Sequence, residues 1–155
     1  MSKRHRKSVK FEEEPTTKKR PIIREHPSLY EMTPTWSFAK CDFEHPVWGL
    51  TQASNLPYLE QTLRRFKEWE RSKWKDVLTA KSGRKSNTQS HPISVSSLIK
   101  DAGERLCELN LDEYDTIYSL AITGKRRIWG IMIEETGTFQ VLWYDLEHAI
   151  YPVSK

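Results

Sequence analysis

Three runs near the end of the chain, Thr116–Thr123, Arg127–Glu134 and Thr138–Asp145, are rich in Ile, Val, Tyr, Trp and Phe. Gly124-Lys125 separates the first two and Glu135-Thr136-Gly137 the last two, so short turns predict an antiparallel meander. Upstream the apolar rhythm is helical. Leu56, Leu59, Leu63 and Phe66 recur at spacings of three and four, with Asn55 as a candidate N-cap and Pro57 in the first turn. Trp74, Val77 and Leu78 continue that helix or restart it after Ser72. A second helix is predicted from the N-cap options Ser94, Ser96 and Ser97, with Leu98, Ala102, Leu106 and Leu109 on one face. Asp101 and Glu104 lie near its start, where the helix dipole favours acids. The run Trp36–Phe43, between Pro34 and Pro46, suits a first strand, and residues 81–93 are polar enough to form an exposed loop. The order is β-α-α-β-β-β, an α+β fold with an antiparallel sheet covered on one face by two helices.

Composition divides the chain further. At 155 residues it is the size of one domain, and six Trp, six Tyr and five Phe suffice for one core although the mean hydropathy is -0.72. The formal charge of +4 is unevenly placed. Residues 1–28 hold nine Lys/Arg and four Glu, which leaves sixteen basic and seventeen acidic residues for the rest. All the net basicity therefore lies at the N-terminus. With charge blocks and Pro15, Pro21 and Pro27, residues 1–28 are expected to be a disordered basic tail, and residues 29–155 a single domain. The runs Lys3–Lys7 and Lys18-Lys19-Arg20 suit RNA phosphates or a nuclear address; a solubilising role fits them equally. No apolar run reaches the roughly 18 residues of a membrane helix, and no signal-peptide region opens the chain, so a cytoplasmic protein with no membrane partner is expected. Cys41 and Cys107 form no CxxC pair; two buried free thiols are favoured over a disulfide.

Most chemistries drop out. The six glycines are scattered, so no loop cradles a phosphate; the cysteines are too few for a zinc site; no Gly-x-Ser-x-Gly elbow occurs. No metal and no cofactor are expected. One constellation remains. Lys125-Arg126-Arg127 opens the second meander strand, with alternation sending the two arginines to opposite faces. The third strand ends in Asp145-Leu146-Glu147-His148-Ala149-Ile150-Tyr151. A meander returns both stretches to one end of the sheet, which draws Arg127, His148 and Tyr151 together. Metal-free RNA cleavage needs a base, cations for the phosphorane and an acid. His148 would carry the proton, Arg127 would stabilise charge, and Tyr151 would act as an acid or stack a base. The plainer alternative is a surface histidine after a strand and a tyrosine that only packs. Lys125, Arg126, His91 and the run Lys18, Lys19, Arg20 are the candidate RNA contacts, although an ordinary exposed histidine in a turn is the commoner explanation of His91. Trp129, Trp143, Tyr144, Trp36 and Trp48 read as core.

These motifs carry a resemblance. Tyr118–Ile122, Arg126–Gly130, Phe139–Asp145 and His148–Tyr151 resemble small bacterial and mobile-element proteins ending in Trp-x-Asp-x-x-His-x-x-Tyr. More distantly they resemble the RelE/ParE/YoeB superfamily of toxin–antitoxin systems, over roughly residues 34–151. The resemblance implies a metal-independent endoribonuclease acting on mRNA, including ribosome-bound mRNA, and restrained by a small acidic antitoxin protein. Arg127 would match the strand arginine on the scissile phosphate, and His148 and Tyr151 the C-terminal His/Tyr pair, three apart here where the YoeB-like pattern has them adjacent. The alternative is a noncatalytic module of the same fold, from a phage or mobile element, binding a protein or nucleic acid. A third is an inhibitor that adds a strand at the sheet edge.

Overall fold

A computed structural model describes residues 28–53, 55–81 and 90–152. The expected tail, including Lys18, Lys19 and Arg20, lies outside the described residues, as does most of the polar loop.

The α+β class stands, with one more strand and one more helix than the pattern predicts. The order is β1 (Thr35–Ser37), α1 (Leu56–Trp69), α2 (Trp74–Thr79), β2 (His91–Ser94), α3 (Lys100–Glu108), β3 (Thr116–Thr123), β4 (Arg126–Ile133) and β5 (Thr138–Asp145). The meander β3-β4-β5 forms where the turn residues place it, with Gly124 at φ +52° and Gly137 at φ +69°, backbone that glycine adopts at little cost. The five strands lie in the order β1-β5-β4-β3-β2, and β1 runs parallel to β5, so the sheet is mixed.

Both faces of the sheet are covered, which corrects the one-sided arrangement. Phe66 and Trp69 of α1 and Trp74, Val77 and Leu78 of α2 pack on Leu120, Ile128, Phe139, Val141 and Tyr144. On the other face Ala102 and Leu106 of α3, with Trp48 and Ile150, pack on Ile117, Trp129, Ile131, Leu142 and Trp143. The cause is legible in the strands: five consecutive residues of β4 and five of β5 are buried, which needs a cover on each side.

Three smaller corrections follow from packing. The first strand stops at Ser37, because the chain then leaves the sheet for a loop held by side chains. The buried stripe of α1 is Thr62, Phe66 and Trp69, while Leu56, Leu59 and Leu63 are 77%, 41% and 54% exposed. At about 100° per residue the two stripes sit about a quarter turn apart. The aromatic stripe prevails because Trp36 stacks flat on Phe66, with centroids 4.1 Å apart, and the larger rings remove more area from water. Asn55 occupies the N-cap of α1 without a side-chain hydrogen bond. The N-cap of α3 is Ile99 rather than a serine, and the Ile99 amide donates to the Ile150 carbonyl (3.1 Å).

A bulge decides which way β5 faces. Opposite Trp129-Gly130, β5 carries the extra residue Leu142, so Leu142 and Trp143 both enter the α3-side core. Gly130 is required here: a Cβ would lie 2.3 Å from the Gln140 carbonyl oxygen and 2.6 Å from the Phe139 ring. Beyond the bulge Asp145 shares the α3 side with Trp143, and it pairs in register with Arg127.

Candidate functional site

The candidate residues gather where β3 ends, β4 begins and β5 ends. Lys125 is exposed at the hairpin tip. Arg126 and Arg127 diverge to the two faces, as alternation requires. Arg126 turns toward α1, where its guanidinium lies 3.8 Å from the centre of the Tyr58 ring and donates to Gln61 Oε1. Tyr58, Gln61, Lys125, Arg126, Leu146 and Glu147 line a polar groove of about 460 Å³ there. Behind it stands the buried Tyr144; burial raises the pKa of its hydroxyl, while Thr62 and the Arg126 charge act in the opposite direction.

Arg127 lies on the α3 side, half-buried. Its Nη1 donates to the carbonyl oxygens of Gly124 (2.6 Å) and Arg126 (3.0 Å), which clasps the hairpin turn. Burial lowers its pKa, against the pull of Asp145 across the strand pair. Asp145, 1% exposed, shapes the backbone that follows it. Its two carboxylate oxygens accept from the amides of Ala149 (2.9 Å) and Ile150 (3.0 Å). That double cap folds residues 146–150 into a turn and drops Ile150, fully buried, into the α3-side core. His148 sits on this turn in left-handed backbone, φ +56°, with Nδ1 buried and without a hydrogen-bond partner. Tyr151 packs partly buried against the same core.

The turn therefore returns His148 and Tyr151 to the end of the sheet that bears Arg127. Among the described residues, however, no hydrogen bond or ion pair joins these three. His91 is elsewhere: it opens β2 on the far edge, in register with Ser119, so its segment is a strand and not the exposed loop expected. Its neighbour Ser90 is buried and accepts from the Ala121 amide (3.0 Å). The five aromatics assigned to the core are there, four of them buried and Trp36 packed at the core margin. The cysteines are free, but Cys107 is exposed on α3 and Cys41 half-buried, which corrects the expectation of two buried thiols. Burial, with Asp42 adjacent, pushes the Cys41 thiol up to about 11.

Sequence reasoning missed one cluster. Asp42, 3% exposed, accepts from Arg105 Nε (2.9 Å) and Nη2 (3.0 Å), from Trp143 Nε1 (2.9 Å), and from the amides of Glu44 (3.0 Å) and His45 (3.2 Å). Burial alone would raise this carboxyl; the donors from Arg105, Trp143 and Glu44, with the Arg105 charge, overcome it and hold the pKa at about 2. His45 Nδ1 accepts from the amides of Val47 (3.1 Å) and Trp48 (3.0 Å), and its ring stacks on Trp48 at 4.1 Å. Every partner of Asp42 is internal, so the cluster ties the 38–50 loop to α3 and β5. The only sequence signal was an acid before a proline-bounded turn, too common to single out. Among the described residues no three His, Cys, Asp or Glu side chains converge as metal ligands, and no helix is long and apolar enough to cross a membrane. Set against protein-family models, curated proteins and solved structures, the chain finds no match in any of the three.

Proposed function

We propose that this protein is a binding module for single-stranded RNA, with the β3–β4 hairpin and the groove beside α1 as its contact surface. One observation carries the reading: Lys125 stands exposed at the tip while Arg126 is held over the Tyr58 ring beside a polar groove. Cations that follow a phosphate backbone next to an aromatic ring on which a base can stack are the usual elements of single-strand recognition. Binding is favoured over cleavage because Arg127 is engaged with two carbonyls and faces the Asp145 carboxylate, which opposes an incoming phosphate.

The test is fluorescence anisotropy with a single-stranded RNA over a salt series. Lys125→Ala and Arg126→Ala should each weaken binding and flatten the slope of log affinity against log salt by about 0.7 for every phosphate the variant no longer neutralises. Lys100→Ala, an exposed cation on α3, should leave both unchanged. Wild-type affinity and slope in the two hairpin variants would overturn the reading.

A second reading, the metal-independent endoribonuclease of the toxin type, rests on His148. A non-glycine residue in left-handed backbone whose ring nitrogen lacks a partner is the kind of local strain that functional sites retain. In that reading the protein is cytoplasmic, its substrate is mRNA on or off the ribosome, and its partner is a small acidic antitoxin. Chelator-insensitive RNA cleavage lost in Arg127→Ala and in His148→Ala would support it; RNA binding without cleavage returns the first reading.

A further inference from the structure

From the exposed apolar face of α1 we infer that the protein self-associates through this helix, packed antiparallel against α1 of a second copy. The surface is independent of the hairpin groove. Tyr58 and Gln61, which serve the groove, lie on one flank of the helix, while Leu56, Leu59 and Leu63 form a stripe on the other, 77%, 41% and 54% exposed. A run of leucines at spacings of three and four is the pattern by which helices bury a face, yet the protein's own core uses the neighbouring aromatic stripe instead. The leucines border a furrow of about 470 Å³ whose other walls are Glu60, Arg64 and Lys67.

The charges choose the occupant. Along the furrow the acid comes first and the two bases follow toward the C-terminus of the helix. In an antiparallel pair each flank faces its own copy reversed, so Glu60 of one protomer meets Arg64 and Lys67 of the other, and the reverse contact forms at the same time. A parallel two-fold pair would instead turn this flank toward the partner's opposite flank, that of Thr62 and Phe66, and the charges would not meet. The face is thus complementary to itself in one orientation, as an interface with two-fold symmetry must be. Within one protomer Glu60 and Arg64 already pair at 2.7 Å, but with side chains 62% and 73% exposed this pair contributes little and exchanges readily. The furrow, from Leu56 to Lys67, runs about 16 Å, roughly three turns of helix. That is smaller than a standard interface, so the dimer is expected to be weak, with Kd in the micromolar range or above.

The test is sedimentation equilibrium of the full chain from about 5 µM to about 500 µM. Mass should rise toward the dimer with concentration. Leu59→Glu with Leu63→Glu should hold it at the monomer with the circular dichroism spectrum unchanged, because neither leucine belongs to the core. Glu60→Arg should loosen the dimer at least tenfold, and adding Arg64→Glu should restore it, an outcome only the antiparallel arrangement produces. A wild type that stays monomeric throughout would overturn the inference and leave the stripe to a helix from another protein. A dimer that survives the double leucine change would also overturn it, by placing the contact elsewhere.

Discussion

Removing the cation from Arg105 tests how the 38–50 loop is held. In Arg105→Met the aliphatic stem is largely kept, while Asp42 loses two hydrogen bonds and its only ion-pair partner among the described residues. The ordinary carboxyl pKa of 3.8 falls to about 2 in the fold. At about 1.36 kcal/mol per unit, its donors outweigh burial and leave the ionised form favoured by about 2.5 kcal/mol net. Breaking a buried pair costs about 3–5 kcal/mol, and because the Arg105 side chain is 22% exposed the lower end applies, about 3 kcal/mol at neutral pH. The sign in acid follows from linkage. A depressed carboxyl pKa contributes stability that is present above 3.8 and lost as the pH falls through about 2. Without Arg105 burial dominates, Asp42 takes up its proton at higher pH, and the protonated form no longer needs a cation. The gap between wild type and variant should therefore narrow by about 1–2 kcal/mol between about pH 7 and about pH 3. Urea unfolding at both pH values, followed by tryptophan fluorescence, measures this, with Glu108→Gln as a control for the exposed half of the Arg105 pairing. A cost below about 1 kcal/mol at pH 7, or a gap that does not change with pH, would refute the argument.

Three further outcomes are expected. Phe66→Ala should destabilise by about 3–5 kcal/mol and Leu63→Ala by less than about 1 kcal/mol in denaturant titrations, since one ring is buried against Trp36 and the leucine is exposed. Gly130→Ala should cost about 2–3 kcal/mol or more, read as a lowered melting temperature, because the new methyl meets the Gln140 carbonyl across the bulge. Asp145→Ala should cost about 2–3 kcal/mol and speed hydrogen exchange at Ala149 and Ile150, whose amides lose their acceptor; unchanged exchange there would show that the cap is not what shapes the turn.

The C-terminal meander was legible residue by residue. β-branched and aromatic runs broken by Gly124-Lys125 and Glu135–Gly137 determine strands and turns locally, and β3 and β5 begin and end where those signals place them. The same holds for α1 and α3 as helices, and for Arg126 and Arg127 on opposite faces, since a strand's period of two needs no distant partner. Which face each element buries was another matter. On α1 two apolar stripes share Phe66, and a stack with Trp36, thirty positions away, chose between them. In β5 the extra residue Leu142 reversed the alternation, so that Asp145 came to lie on the α3 side opposite Arg127. The Asp42 cluster joins a loop, a helix and a strand that are 63 and 101 residues apart in the chain. Sequence periodicity carries the shape of an element because backbone hydrogen bonds and local sterics repeat along it. It carries no record of the neighbour. The choice between two plausible apolar faces, and the pairing of one buried carboxylate with one arginine, are settled only when the whole chain competes for the same interior volume.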